Sequence, residues 1–307
     1  MKKYIVTGAA GFIGSAVAKK LSDMGNTIVS IDNLTTGFRS NLPKNIEFIE
    51  GDCGDPDVYS LIPRDSYDAV IHIAGQSSGE ISFDDPIYDI RTNTNSTLLL
   101  LDYMREINCK RFIYAGSMSV YGKQPEIPIN EDVLCNPESF YGVGKLASEH
   151  YMRIYEQFDI ASTSLRLFNV YGPGQNLENL RQGMVSIFMA QMFEKNHIIV
   201  KGASDRFRDF VYIDDVVEAF ISSIQNDNTK NQVINVATGI KTSVKELIEK
   251  ICILNDSEIT VEYQGTTSGD IHGIYADINK MKKLLGIDQP IELDQGLLKM
   301  IAWMKTQ

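Results

Sequence analysis

The sequence has little of what marks secreted, metal-binding or membrane proteins. Its 4 cysteines are scattered without a CxxC pair and its 4 histidines show no ligand spacing, so neither a disulfide framework nor a metal site is predicted. No apolar run approaches the length of a membrane span, and no signal peptide precedes the first strand pattern, which begins almost at Met1. We therefore expect a cytoplasmic protein that does not associate with membranes.

Positive charge is also scarce. The 29 Lys and Arg residues against 40 Asp and Glu residues give a net charge of −11 at pH 7, which argues against nucleic acid or an anionic membrane surface as a partner. An anionic small substrate would need arginines or helix ends placed locally. The length of 307 residues and the 43% hydrophobic content are typical of a globular chain with one large domain or two modest ones.

A glycine-rich turn joins the first predicted strand to the first predicted helix. The apolar run Lys2–Thr7 is followed by Gly8, Gly11 and Gly14, and then by a pattern with one apolar helix face. Gly8 allows a tight turn, Gly11 lets the backbone approach a pyrophosphate, and Gly14 lets the helix pack close to the strand. Free N–H groups at the helix start would bind the anion. The pattern predicts a dinucleotide-binding unit.

An acidic residue follows the second predicted strand. Thr27–Ile31 ends at Asp32, roughly 20 residues past the glycines, where a carboxylate can accept hydrogen bonds from the adenosine ribose. A carboxylate would repel the 2′-phosphate of NADP, so NAD is favoured, whereas the nearby Arg39 is the feature that would favour NADP. The alternative to a dinucleotide-binding unit is a strand–turn–helix unit that binds no ligand, and the presence of Asp32 argues against this alternative.

Strand and helix patterns alternate along the first half of the chain, which predicts an α/β fold with a doubly wound, Rossmann-type parallel sheet. We expect this NAD-binding domain to occupy residues 1–170, and residues 171–307 to form mainly a smaller α/β substrate lobe, parts of which return to the first domain. Ligands of such sheets bind beyond the carboxyl ends of the strands. The further strands predicted here are Ile46–Glu50, Ala69–Ile73, Arg111–Ala115 and Ser164–Phe168, and the long helices are Pro86–Ile107 and Ser139–Phe158.

Tyr141 and Lys145 are spaced four residues apart at the start of a predicted helix and therefore share a helix face. A nearby ammonium lowers the pKa of a phenol, and Tyr141 is the only one of the 14 tyrosines with a lysine at this spacing. Ser117 follows an apolar strand and could hydrogen-bond a substrate oxygen. Together these residues could move a proton from a sugar or alcohol hydroxyl while a hydride passes to NAD. The alternative without catalytic function is that Tyr141 and Lys145 form an exposed pair on a solvated helix and that Ser117 is only a cap or turn residue.

Several motifs resemble the extended short-chain dehydrogenase/reductase family, and within it the sugar-nucleotide epimerase and dehydratase branch. The resemblance covers nearly the whole chain. Its motifs in the first half are TGAAGFIG, DNLTTG, GD at 51–52, HIAGQ, SMSVYG and YGVGK, and in the second half LRLFNVYGPGQ, RFRDFVYIDDV and SGDIHGIYADI.

The resemblance implies roles for individual residues. Ser117, Tyr141 and Lys145 would be catalytic. The NAD-binding residues would be Gly8, Gly11, Phe12, Ile13, Gly14, Asp32, Asn33, Asp52, Cys53, Ala74, Gln76 and Asn93, together with Tyr141 and Lys145. Besides Ser117 and Tyr141, the substrate-binding residues would be Asn169, Arg208 and Asp270.

The residues after Ser117 favour one reaction of this branch. Its dehydratases usually carry an Asp-Glu pair there, and this chain has Met118 and Ser119. The resemblance therefore implies 4-epimerisation, in which Tyr141 takes the O4 proton, a hydride leaves C4 and then returns to the other face. UDP-glucose/UDP-galactose or the N-acetylhexosamine pair are the expected substrates, and the medium-sized Ile274 at the family's gating position decides nothing between them.

Two other functions stay open. A reductase of a 4-keto-deoxy sugar nucleotide would use the same Ser-Tyr-Lys set and consume NAD(P)H, and a non-catalytic NAD(P) sensor or scaffold would keep only the cofactor site. The resemblance also implies a homodimer, because helices near 86–107 and 141–158 form a four-helix interface in this family. Ser96 stands where the family usually has glycine, and Thr267-Ser268 stand where it often has an arginine-proline pair.

Overall fold

The computed structural model describes residues 1–179, 181, 183–254, 258–265 and 272–306. Its strands are β1 Lys3–Thr7, β2 Thr27–Asp32, β3 Glu47–Glu50, β4 Ala69–His72, β5 Arg111–Ser117, β6 Ala161–Leu167, β7 Asn169–Tyr171, β8 His197–Lys201, β9 Phe207–Arg208, β10 Phe210–Tyr212, β11 Gln232–Val236, β12 Thr242–Ser243 and β13 Thr260–Gln264. Its helices are α1 Phe12–Asp23, α2 Ile81–Asp84, α3 Pro86–Asp89, α4 Ser96–Glu106, α5 Phe140–Tyr155, α6 Met184–Lys195, α7 Ile213–Gln225, α8 Val244–Ile253, α9 Asn279–Leu285 and α10 Leu293–Met304.

A 7-stranded sheet in the order β11-β6-β5-β4-β1-β2-β3 organises the first part of the chain. Every neighbouring pair in it is parallel. The direction of winding changes between β1 and β4, which is the point where doubly wound sheets open a crevice for a ligand. The predicted doubly wound α/β fold is confirmed.

Helices cover both faces of this sheet because its strands are apolar on both sides. On one face, α1, α7 and α9 bury residues such as Leu21, Phe220 and Met281 against the strands. On the other face, α4 and α5 bury Leu101, Met104 and similar residues. The sheet is therefore a rigid support for the loops at its carboxyl edge.

The later elements build a second core beside that edge. Parallel β8 and β13, together with α6, α8 and α10, surround a cluster that includes Phe188, Val200 and Leu247. Strand β11 leaves this region and pairs with β6 as the edge strand of the main sheet. The predicted division at residue 170, with parts of later segments returning to the first domain, stays a prediction.

Some predicted bounds were wrong. β6 begins at Ala161 rather than Ser164, because the Arg111 side chain satisfies the polar start of the strand by donating to the Ala161 carbonyl at 3.0 Å and the Thr163 hydroxyl at 2.6 Å. The helix predicted from Pro86 to Ile107 contains a π-helical segment over Ile90–Asn95, where polar side chains compete for backbone groups. Within the described ranges, no helix has the length and apolarity that crossing a membrane requires.

Candidate functional site

A cleft of about 350 Å³ opens at the carboxyl edge where the winding changes direction. It collects residues from the turns after β1, β2, β3 and β4, as predicted for strands that end at one edge of a parallel sheet. The predicted NAD-binding residues that line it are Gly8, Gly11, Phe12, Ile13, Gly14, Asp32, Asn33, Asp52, Cys53, Ala74 and Gln76.

The glycine turn leaves no room for side chains. Gly8 has φ +69°, and a Cβ there would lie 2.6 Å from the Ala74 nitrogen. A Cβ on Gly14 would overlap the Gly8 carbonyl oxygen. The N-terminus of α1 has no side-chain cap, so its N–H groups face the cleft as an anion site. This cradle, which side chains would fill, fits a dinucleotide pyrophosphate.

Asp32 is fixed by the backbone on both sides. Its Oδ2 accepts a hydrogen bond from the Ala10 N–H at 2.9 Å and its Oδ1 accepts one from the Leu34 N–H at 2.8 Å. The carboxylate thus has a set orientation beside Asn33 at the position expected for a ribose contact. The guanidinium of Arg39 lies 3.6 Å from the Glu50 carboxylate, so its charge is engaged outside the cleft, which agrees with NAD rather than NADP.

Asp52 and Cys53 form the next part of the cleft wall. Asp52 Oδ1 accepts from the Gly54 N–H at 2.7 Å, and Oδ2 pairs with Arg91 at 3.2 Å. Burial, together with Asp52 and Asp32, raises the pKa of the Cys53 thiol to about 12. The thiol is therefore neutral at physiological pH and acts as a packing group rather than a nucleophile.

Gln76 and Asn93 stand in different places at the other end of the cleft. Gln76 lines the cleft, whereas Asn93 is 1% exposed and lies behind the wall, outside the lining. Its Nδ2 donates to the Gln76 carbonyl at 2.9 Å and to Asp89 Oδ1 at 3.2 Å. Asn93 therefore supports the cleft wall from behind. Gly75, which lines the cleft, lies between Asn93 and the cleft, so NAD would have to contact Asn93 past Gly75.

His72 is a structural residue in this wall. Its Nδ1 lies 2.7 Å from the Thr7 hydroxyl and its Nε2 lies 3.4 Å from the Ser96 hydroxyl. Burial and Lys145 lower the pKa of His72 to about 3, so the ring stays neutral. Ser96, at the position where glycine is usual, uses its hydroxyl to donate to the Thr92 carbonyl at 2.6 Å.

Ser117, Tyr141 and Lys145 meet between the end of β5 and the start of α5. Ser139 caps α5 by accepting from the Gly142 N–H at 3.0 Å, which sets the first turn that carries Tyr141. The Lys145 ammonium donates to the Ala115 carbonyl at 3.0 Å and lies 5.7 Å from the centre of the Tyr141 ring. The structure therefore brings the three predicted catalytic residues together, although none of them is among the residues that line the cleft. Their link to it is Asp89, which acts on Tyr141 and Lys145 and accepts a hydrogen bond from Gln76 of the lining.

The expected lowering of the Tyr141 pKa does not occur in the protein alone. Burial raises it to about 12, a Ser117 hydrogen bond lowers it, and Asp89 raises it further. Burial also lowers the pKa of Lys145 to about 8, against Asp89 and Glu149, which raise it. Desolvation outweighs the tyrosine–lysine interaction because both groups are almost fully buried.

Asn169 and Arg208, the described residues predicted to contact the diphosphate, are each held by hydrogen bonds to a backbone carbonyl. Asn169 Nδ2 and its backbone N–H both donate to the Asp209 carbonyl, at 3.2 and 3.0 Å. Arg208 is 5% exposed and donates to the Phe207 carbonyl at 2.7 Å, and burial lowers its pKa to about 10. Asn169 lies on β7, which pairs with β10, and Arg208 lies on β9, which pairs with β12. Asp270 lies outside the described residues.

The sequence prediction missed the residues that approach the cleft from the second lobe. Loop and helix residues with polar side chains complete its wall: Gln175, Asn176, Asn179 and Ser186. The loop signal at Gly172-Pro173-Gly174, followed by an amide-rich run, was the only indication available. It also missed Asp89, a buried acid behind Gln76.

Comparisons with known proteins agree with this geometry. A model of the NAD dependent epimerase/dehydratase family matches residues 4–237. A putative UDP-glucose 4-epimerase of Methanocaldococcus jannaschii is 34% identical over 304 residues, covering 98% of each chain. The Thermotoga maritima UDP-glucose 4-epimerase crystallised with UDP-glucose superposes with a TM-score of 0.94 at 31% identity, covering 99% of both chains. The Thermus thermophilus UDP-glucose 4-epimerase in complex with NAD gives a TM-score of 0.92 at 27% identity, again covering 99% of both.

Proposed function

This chain belongs to the NAD-dependent epimerase/dehydratase family, uses NAD as its cofactor, and we propose that it catalyses 4-epimerisation of a UDP-hexose. The candidate substrates are UDP-glucose/UDP-galactose and UDP-GlcNAc/UDP-GalNAc. The observation that carries the proposal is that Ser117, Tyr141 and Lys145 come together in a chain whose glycine turn and Asp32 line a dinucleotide cleft. Met118 and Ser119, where dehydratases of this branch carry an acidic pair, favour epimerisation over dehydration.

The proposed roles follow from the buried geometry. When bound, NAD supplies the hydride acceptor and the positive charge of the nicotinamide ring. Tyr141 takes the proton from the C4 hydroxyl and later returns it, while Ser117 hydrogen-bonds the same oxygen. Lys145 holds its ammonium against the Ala115 carbonyl, so its position is fixed before substrate arrives. A base with a pKa of about 12 in the protein alone becomes competent only when positive charge is added next to it.

Arg208 and Asn169 are proposed to bind the substrate diphosphate. A guanidinium pairs with two phosphate oxygens at once, and a net charge of −11 makes such a local cation necessary for an anionic substrate. Arg208 is already immobilised by the Phe207 carbonyl, so little side-chain entropy would be lost on binding.

We also propose a homodimer through the helices around α3 and α5. Large apolar side chains on α3 and α5 and on the segments beside α3 are exposed in the single chain, notably Phe83, Ile87, Ile90, Phe140 and Val143. Contiguous apolar surface of this kind marks interaction sites. Light scattering at micromolar concentration should give twice the chain mass of 34.4 kDa, and a monomer mass would refute the proposal.

The function is tested by incubating the purified protein with UDP-galactose and, separately, UDP-GalNAc, without added NAD. Proton NMR of the anomeric region should show the gluco epimer of at least one of them, and the accepted sugar identifies the 2-substituent. If neither sugar changes even with added NAD, the epimerase proposal fails. Stoichiometric oxidation of NADH by a 4-keto sugar nucleotide would then identify a reductase, and NAD binding without either reaction would identify a sensor.

A further inference from the structure

Asp89 is a buried carboxylate that the proposed chemistry leaves without a role. It is the last residue of α3 and is 0% exposed. Its Oδ1 accepts hydrogen bonds from Gln76 Nε2 at 2.9 Å and Asn93 Nδ2 at 3.2 Å, whereas Oδ2 has no hydrogen-bond partner among the described residues. Carboxylates this deeply buried are rare unless they are paired, which indicates that Asp89 has a role beyond packing.

The packing of α5 brings this carboxylate next to the catalytic turn. A Cβ on Gly144 would lie 3.4 Å from Asp89 Oδ2 and 3.2 Å from the Thr94 hydroxyl. Because glycine stands there, α5 lies directly against the carboxylate. Gly144 belongs to the same helical turn as Tyr141 and Lys145, so the charge of Asp89 acts on both.

The hydrogen bonds favour the ionised form of Asp89. The amide groups of Gln76 and Asn93 both donate to Oδ1, and hydrogen bonds donated to a carboxylate favour its ionised form. Burial raises the pKa of Asp89, while Lys145, Gln76 and Asn93 lower it. The charged and titratable groups that face this cluster are Lys145 and Tyr141 on α5, with Glu149 acting on Lys145 from the next turn and His72 on β4 facing Lys145.

We propose that Asp89 is a positioning residue of the site, which fixes the Gln76 side chain and supplies the negative charge beside which Tyr141 takes and returns its proton and Lys145 keeps its ammonium. Gln76 lines the cleft. The Asp89 carboxylate, which accepts from Gln76 and acts on Tyr141 and Lys145, therefore links the proposed cofactor cleft to the proposed proton-transfer residues. The kinetic readout of this proposal rests on the proposed epimerase function; the spectroscopic readout below does not.

The sign of the effect follows from the charge. A negative charge disfavours loss of a proton from both a phenol and an ammonium, and Asp89 raises the pKa of Tyr141 and of Lys145. Asp89→Asn keeps the size and one acceptor oxygen but removes the charge. The pH profile of kcat/KM should have an acidic limb set by deprotonation of Tyr141 and a basic limb set by loss of the Lys145 ammonium. In Asp89→Asn both limbs should move to lower pH, by about one pH unit for a charge at this proximity.

The experiment compares wild type, Asp89→Asn and Asp85→Asn, all in the NAD-loaded form. Asp85 is an exposed acid four residues earlier that caps Tyr88 N–H at 2.9 Å, and asparagine caps equally well. Asp85→Asn should leave both limbs unmoved, whereas Asp89→Asn should shift both downward. Limbs that stay in place in Asp89→Asn, or that shift equally in both variants, would overturn the proposal.

A second readout needs no turnover. The phenolate absorbance of Tyr141, taken as the difference between each protein and its Tyr141→Phe version, should titrate at lower pH in Asp89→Asn than in wild type. If wild type does not epimerise, the proposed function fails while this titration still tests Asp89. If Asp89→Asn does not fold, Asp89→Ser, which leaves space for water, should show the same shift, and the absence of a shift there would also overturn the proposal.

Discussion

Replacing Glu149 should reveal how firmly α5, the helix that carries Tyr141 and Lys145, is held on the sheet. Glu149 lies on α5 and forms a two-pronged ion pair with Arg166 of β6, at 3.0 Å to Nε and 2.7 Å to Nη2. The Ser164 hydroxyl donates to the same carboxylate at 2.7 Å. The side chains of the pair are only 7% and 5% exposed. Glu149→Gln keeps the shape and leaves the buried guanidinium without its counter-charge.

The expected loss is large because both side chains of the pair are almost fully buried. Removing one partner of a buried ion pair costs about 3–5 kcal/mol, since the remaining charge stays desolvated. With an unfolding entropy of about 2.1 cal/mol/K per residue, each kcal/mol lowers the Tm of a chain of 307 residues by roughly 1.5 °C, so the melting temperature should fall by roughly 5–8 °C. The exposed pair Lys19–Asp23, at 67% and 61% exposure, gives the contrast: Asp23→Asn should cost at most about 0.5 kcal/mol.

The assay is urea unfolding followed by circular dichroism, combined with a double-mutant cycle. Arg166→Met together with Glu149→Leu should recover most of the stability that either single change loses, because no uncompensated charge is left. If Glu149→Gln loses no more than Asp23→Asn, the pair is not desolvated as described. If the double variant is as unstable as the sum of the singles, the coupling is refuted.

Two further changes test the site itself. Tyr141→Phe should lower kcat by roughly 10²–10⁴ and leave bound NAD unchanged, measured by NMR turnover and by the cofactor released on denaturation; a wild-type rate would exclude this base. Gly14→Ala places a Cβ against the Gly8 carbonyl, and overpacking of about 1–3 kcal/mol should weaken NAD binding roughly tenfold to a hundredfold by calorimetry. The exposed Lys19→Ala on the same helix is the control, and equal affinities in both variants would contradict the close packing of α1.

Local patterns predicted most of the main sheet. The glycine turn, the second strand and Asp32 lie within one βαβ unit, where spacing along the chain fixes spacing in the structure. The pairing of β11 with β6 could not be placed in this way, because it joins segments far apart in sequence. The start of β6 was hidden because Ser162 and Thr163 look like loop residues until Arg111 is seen to satisfy Thr163.

The electrostatics of the site were not predictable from spacing. The interval between Tyr141 and Lys145 predicted their proximity but not that burial would dominate the pKa of both. Asn93 lies on the π-helical segment over Ile90–Asn95 and donates to the Gln76 carbonyl; its contact with the cofactor stays a prediction. Asp89 gave no signal, because an acid within a helical pattern is usually solvent-exposed.

The central claim is that C4 is oxidised and reduced again without exchange with solvent, at the site formed by Tyr141 and its neighbours. The most direct measurement uses the accepted galacto sugar nucleotide with deuterium at C4, incubated in ordinary water and analysed by NMR and mass spectrometry. If the hydride returns to C4, we expect a gluco product that keeps its deuterium at C4. Loss of the label to solvent during epimerisation would contradict hydride return and require a different mechanism.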